Sequence, residues 1–167
     1  MVTDLAAVRR LADAKEAENL EFRRYLGVHH PPHHALRRIA ERVAGQIDCR
    51  DCANCCRETL VEVTTEDLDA IAGYIGAPRC DIVPLYTTDA GQALKQTAEG
   101  CVFLEGNLCS IYATRPRACR EFPWLLTASA SLGSRLTSIF RRAALCPIVY
   151  NTLEEFKKRM GFVAHHM

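Results

Sequence analysis

The stretch Cys49-Arg50-Asp51-Cys52-Ala53-Asn54-Cys55-Cys56 decides how this chain is read, because it places four cysteines in eight residues at steps of three, three and one. A C-x-x-C step lets a tight turn aim two sulfurs at one centre, and a second identical step brings a third, as in the cysteine runs that hold iron-sulfur clusters. A remote cysteine must then supply the fourth ligand. A single tetrahedral zinc more often takes two close pairs of ligands from separate segments, so the regular spacing leans towards a polynuclear centre, with zinc as the alternative. Adjacent Cys55 and Cys56 cannot easily chelate one metal from a regular backbone. Either they address different atoms of a cluster, or only one of them is a ligand.

Further along stand Cys101, Cys109, Cys119 and Cys146, so two sets of four can be written with Cys80 left over as an ordinary thiol. The expectation is that sulfurs from Cys49, Cys52 and Cys55 or Cys56 converge with some of the later four. Buried thiols would explain an isolated cysteine, since free cysteine is among the most buried residue types. No packing need produces four within eight residues. Nine cysteines cannot all pair internally, and the opening M-V-T-D-L-A-A-V-R-R lacks the apolar core of a secretory leader, so a disulfide framework is disfavoured. Reduced thiols and a cytoplasmic location are expected.

The chain has 167 residues, 49% of them hydrophobic and 25% charged, with a formal net charge of +1. This is an ordinary globular composition, long enough for one core without disulfides. Near-neutrality argues against a general nucleic-acid partner, and no apolar run approaches the roughly 18 residues of a membrane span. The balance shifts along the chain, however. Residues 49–100 are mainly acidic, whereas residues 101–150 carry Arg115, Arg117, Arg120, Arg135, Arg141 and Arg142 against only Glu105 and Glu121. Arginines facing a thiolate-rich centre would offset its negative charge. A solvated basic surface is the simpler alternative.

Beside this reading stands a resemblance. The run C-x-x-C-x-x-C-C, followed by C-V-F-L-E-G-N-L-C-S-I-Y-A-T-R-P-R-A-C-R-E-F-P, resembles the bacterial cysteine-cluster proteins of the YkgJ type, whose domain is described as zinc- or iron-chelating. It covers roughly Cys49 to Cys146. Cys49, Cys52, Cys55, Cys56, Cys101, Cys109 and Cys119 lie on the pattern, with Arg115, Pro116, Arg120, Phe122 and Pro123 in its R-P-x-x-C-R-x-F-P element. The resemblance implies metal chelation, and a similar cysteine-rich unit occurs in flagellin lysine methylases. Physically, Arg115 and Arg120 supply permanent positive forks beside Cys119, suited to a cofactor-binding role next to an anionic cluster. Surface salt bridges to Glu121 or Glu105, or an anionic substrate, are the other readings of this pair.

The fold expected is α+β, mostly helical, with a small irregular β region carrying the cysteines. Residues 1–48 read as a helical arm packed on a cysteine-cluster domain of residues 49–167. The arm holds an amphipathic helix from Asp4 to Leu26 ended by Gly27, the turn V-H-H-P-P-H-H, and a second helix with Leu36, Ile39, Ala40, Val43 and Ile47 on one face. His29, His30, His33 and His34 are split by Pro31 and Pro32, which argues against a helical metal site. His165 and His166 read as a frayed end. After the cysteine run come a strand at Thr59 to Val63 and a helix capped by Thr64 or Thr65. Residues 79–100 read as mostly loop, and a hairpin is expected about Glu105-Gly106-Asn107 with a cysteine on each arm. A second hairpin is expected across Trp124 to Phe140, and a last helix is expected from a Thr152/Glu155 capping box.

Three functions fit. The first is a metal-binding protein holding a cluster, of the 4Fe-4S type by preference, or a zinc or iron centre, for electron transfer or metal handling. The second is a metal-cluster enzyme, with methyl transfer suggested only by the resemblance, since no G-x-G-x-G, G-x-S-x-G or H-E-x-x-H motif occurs. The third is a zinc-stabilised module whose N-terminal helices bind a protein partner.

Overall fold

A computed structural model describes residues 1–32, 34–88, 91–126 and 131–164. His33, His165 and His166 therefore lie outside the described residues. The fold is α+β with helices dominant. Its helices are α1 (Leu5–Ala14), α2 (Glu16–His29), α3 (Ala35–Ala44), α4 (Cys49–Cys52), α5 (Asn54–Glu58), α6 (Thr65–Ile75), α7 (Arg79–Tyr86), α8 (Arg117–Glu121), α9 (Leu132–Ala143) and α10 (Pro147–Arg159). Among the described residues six two-residue strands, β1 (Thr87–Thr88), β2 (Ala93–Leu94), β3 (Gln96–Thr97), β4 (Gly100–Cys101), β5 (Leu104–Glu105) and β6 (Leu108–Cys109), form three antiparallel pairs in sequence order. The residues group into two compact units, Met1–Asp48 with Pro123–Met167, and Cys49–Phe122. The residues after Phe122 thus group with the N-terminal helices.

In the first unit α10 packs against α3 and α9, and α2 against α9. The face Leu36, Ile39, Ala40 and Val43 of α3 is buried, as its period predicts. Three expectations are corrected here. The first helix is two, since the backbone breaks at Lys15 and α2 continues through Gly27 to His29, where His30 enters the left-handed region at φ 30°. The break lets Val8 and Ala12 of α1, and Phe22 and Leu26 of α2, each reach the interior. Residues 132–143 form a helix rather than a hairpin, because Ser131 caps it and Leu136, Ile139 and Ala143 share a buried face. The last helix starts at Pro147, a residue suited to the first helical position. Thr152 is accordingly a buried mid-helix residue and not a cap.

The second unit has its own core of Ala53, Val61, Ile71, Ala72, Ile82, Leu94, Cys101, Phe103, Leu104 and Ile111. Thr64 and Asp67 close a capping box at the start of α6, and Gly76 ends it at φ 78°. Residues 79–88 and 91–100 are not mostly loop. Pro78 precedes α7, whose Ile82 enters the core, and four strands follow that are too short for any period to be visible. The segment expected as a strand at Thr59 to Val63 is extended but makes only the bridge Glu62 to Ala93. The turn at Gly106-Asn107 does join a hairpin, with glycine at φ 61° where a type II′ turn requires it. Its arms are β5 and β6, so Cys101 sits on the preceding hairpin, opposite Gln96. Among the described residues no helix is long and apolar enough to cross a membrane.

Candidate metal centre

Four elements of the second unit each bring one cysteine into or against its core. Cys101, on β4, is inside that core, and Cys56 of α5, Cys109 of β6 and Cys119 of α8 pack against it. Backbone pairing fixes two of them, Cys101 through Gln96 and Cys109 through Leu104. The approach of β4 to α5 depends on Gly100, at φ 126°, where a Cβ would stand 2.8 Å from the Cys56 carbonyl oxygen and 2.9 Å from the Arg57 Cα. Stacking of Tyr86 on Phe103, at 4.8 Å between rings, backs the same strand pair.

The four thiols act on one another electrically. Burial pushes the Cys119 thiol up to about 12, and the charges of Cys56, Cys101 and Cys109 push in the same direction while Arg115 opposes them. Burial likewise raises Cys101 and Cys109, each also raised by Cys56. Cys56 is the exception, brought down to about 7 by a hydrogen bond from Cys55, against its burial and with help from Arg57 and Arg115. One thiolate therefore forms readily, and further ones are costly without a cation to compensate them.

Around this set a network of polar contacts locks the segments. Arg57 donates to the carbonyl oxygens of Cys52 (3.2 Å) and Gly106 (2.9 Å) and to Oδ1 of Asn107 (2.5 Å), while Asn107 donates to the Asp51 carbonyl (3.1 Å). The cysteine run is thereby tied to the β5–β6 turn. Asp67, only 5% exposed, serves two helix starts at once: one carboxylate oxygen accepts from Thr64 N (3.1 Å), the other from Arg117 N (2.9 Å). It orders α6 and also α8, which carries Cys119.

Of the two arginines expected beside a cofactor, Arg115 lies over the Tyr112 ring at 3.9 Å and its charge reaches Cys56, Cys109 and Cys119. Arg120 donates to the Arg115 carbonyl (2.5 Å) and lies 4.0 Å from Asp67. Cys49 is exposed on α4, with Cys52 and Cys55 half-buried. Ala53, at φ 47°, turns the chain between them, so α4 and α5 are not one helix. Cys80 is exposed beside Asp81. Cys146 belongs to the other unit, where it precedes α10. All nine cysteines are thiols. Among the described residues no group of three or more His, Cys, Asp or Glu side chains is placed to hold a metal ion. In the first unit His29 stacks on Tyr25 at 3.7 Å, and Arg142 lies over Trp124.

Sequence reasoning gave no site role to Arg57, Asn107, Gly100 or Asp67. Gly100 directly before a cysteine and Asn107 within a turn were visible cues, whereas the double role of Asp67 depends on two segments fifty residues apart.

Residues 48–147 match the family described as CxxCxxCC, putative zinc- or iron-chelating domain. With more than half its length so matched, the chain belongs to the CxxCxxCC family. No curated protein and no solved structure matches it.

Proposed function

We propose that Cys56, Cys101, Cys109 and Cys119 are the ligands of a thiolate-held metal centre, and that this centre is an iron-sulfur cluster of the 4Fe-4S type. The observation that supports the reading is that four cysteines from four elements lie in or against a single core, with Cys56, Cys101 and Cys109 near enough for their charges to act on Cys119. The donor set fits such a group chemically. Four soft sulfurs that disfavour one another's ionisation call for a cation among them, and no oxygen or nitrogen ligand competes in the set. Arg115 would offset the residual negative charge of the loaded site, and the Arg57 and Asn107 contacts would hold the ligands in place.

A bound cluster would supply one-electron transfer. The chain's own residues contribute sulfur donors, a dry core on one side and a fixed positive charge. A metal-handling or electron-passing role follows better from these than an enzymatic one, because none of them forms a nucleophile–base pair. The same four thiols would also suit one tetrahedral zinc. Anaerobic purification followed by metal and acid-labile sulfide analysis tests the reading. Iron, sulfide and a brown colour that Cys119→Ser abolishes support the cluster, and one tightly held zinc in a colourless protein replaces it. Failure to retain or take up any metal would overturn the centre altogether.

A further inference from the structure

In the first unit two guanidinium groups meet the same residue, Trp124. Arg135 Nη2 donates to the Trp124 carbonyl oxygen (2.6 Å), and the Arg142 guanidinium lies over the Trp124 ring at 4.4 Å. Arg142 Nη1 donates to Ser138 Oγ (3.2 Å), and that hydroxyl donates to the Arg135 carbonyl (2.9 Å), so Ser138 links the two arginines along α9. Trp124 itself stands at φ 56°, in the left-handed region that a bulky residue adopts only where its surroundings impose it. Arg135, Arg142 and Trp124 are all half-buried. Burial pulls both guanidiniums below their ordinary value, and the charge of Arg135 adds to this at Arg142. Both remain cations, since arginine keeps its proton in proteins. Like charges are thus brought together and partly taken out of water.

No Asp or Glu occurs between Glu121 and Glu154. Among the described residues Arg142 meets a hydroxyl and a ring but no carboxylate. With Nη1 on Ser138, its Nε and Nη2 edge remains as a side-on fork, the geometry that takes two oxygens of one anion. We infer that Arg142, with Arg135 and the Trp124 ring, forms a binding site for a phosphate dianion, either free or carried as a monoester. The fork supplies the bidentate contact, and the ring beneath the guanidinium holds its plane. Two negative charges match the two arginines, whereas a single carboxylate would leave one of them uncompensated. No cysteine takes part, so the site stands or falls apart from the metal centre.

Trp124 is the only tryptophan of the chain, so its fluorescence reports the site directly. The full-length protein is titrated with inorganic phosphate at about pH 8, where the dianion predominates, at an ionic strength held constant with sodium chloride. A saturable change in emission is expected. Arg142→Gln should weaken phosphate binding about tenfold, equivalent to about 1.4 kcal/mol, while Arg141→Gln, at the exposed neighbouring position, should stay within about twofold of the parent. Phosphate should also raise the melting temperature of the parent above that in chloride of the same ionic strength, a reading that needs no variant to fold. Adenosine monophosphate that binds at least as tightly as phosphate assigns the site to an ester, and weaker binding assigns it to the free ion; either result supports the site. A parent that shows neither a saturable emission change nor a phosphate-dependent melting shift overturns it. An equal response to acetate also overturns it, as does equal weakening by the two arginine substitutions, which would reduce the effect to overall charge.

Discussion

Gly100 lies against the carbonyl of Cys56, so closely that a Cβ would meet that oxygen at 2.8 Å. Backbone on both sides leaves no flexible side chain to yield. Gly100→Ala should therefore add a steric clash to a strained φ of 126°, the strain alone costing about 1–3 kcal/mol. At roughly 2–4 °C per kcal/mol for a chain of this size, thermal unfolding should move down several degrees, with loss of bound metal as Cys101 is pushed from Cys56. Gly73→Ala is the contrast. It is helical with nothing within 4 Å, so alanine there should be neutral or stabilising by up to about 1 kcal/mol. Similar melting temperatures for the two variants would show that Gly100 does not govern the approach of β4 to α5.

Asp67 should prove more costly to remove than Thr64, its capping-box partner. Thr64→Ala loses one cap, worth about 1 kcal/mol. Asp67→Ala leaves both Thr64 N and Arg117 N without their carboxylate acceptor, and an unsatisfied buried donor costs about 1–3 kcal/mol. Urea denaturation of the two variants measures the difference. Equal midpoints would mean that the bond to Arg117 contributes nothing to stability.

Much of this arrangement was readable from the sequence wherever one segment contains its own cause. The Thr64 cap of α6, the apolar face of α3 and the Gly106-Asn107 turn are all local, and each appears where its residues place it. The errors arise where distant packing decides. Whether Trp124 to Phe140 is strand or helix turned on the burial of Leu136, Ile139 and Ala143, and strands of two residues carry no period at all. Cysteine spacing pointed to a thiol centre, but not to the separation of Cys56 from Cys49 and Cys52. That separation depends on one left-handed alanine that no propensity favours.

The Arg57 contacts predict a selective effect. Arg57→Met keeps an aliphatic stem of similar length but loses the donors to Cys52, Gly106 and Asn107. These bonds are solvent-exposed, so stability should fall by only about 1 kcal/mol. Metal retention should weaken by more than that, since partners that fix the ligand-bearing segments typically contribute 10–100-fold in affinity. Competition with a chelator of known strength measures the ratio. A parent-like affinity would show that the tie between the cysteine run and the β5–β6 turn is incidental.

In the first unit, Lys157 of α10, whose side chain is 4% exposed, bonds Glu18 of α2 and Glu154 at 2.7 Å each, and Lys15 joins the same carboxylates. Burial works to raise the Glu18 carboxyl, but the hydrogen bond and charge of Lys157, with Lys15, hold it below its ordinary 4.5. A depressed carboxyl stabilises the fold above the unfolded-state value, and that contribution is lost as pH falls through the folded value. Glu18→Gln should therefore destabilise by about 1–2 kcal/mol at pH 7, and the gap to the parent should close as pH drops below about 4. Lys15 is the opposite case. Its burial opposes the charge, yet Glu154 and Glu18 raise it above 10.5, so its contribution is complete at neutral pH and fades only in strong alkali. Denaturation of the parent and Glu18→Gln across pH 3–8 checks the Glu18 sign: a stability gap that widens in acid would mean that Glu18 is not held ionised by Lys157.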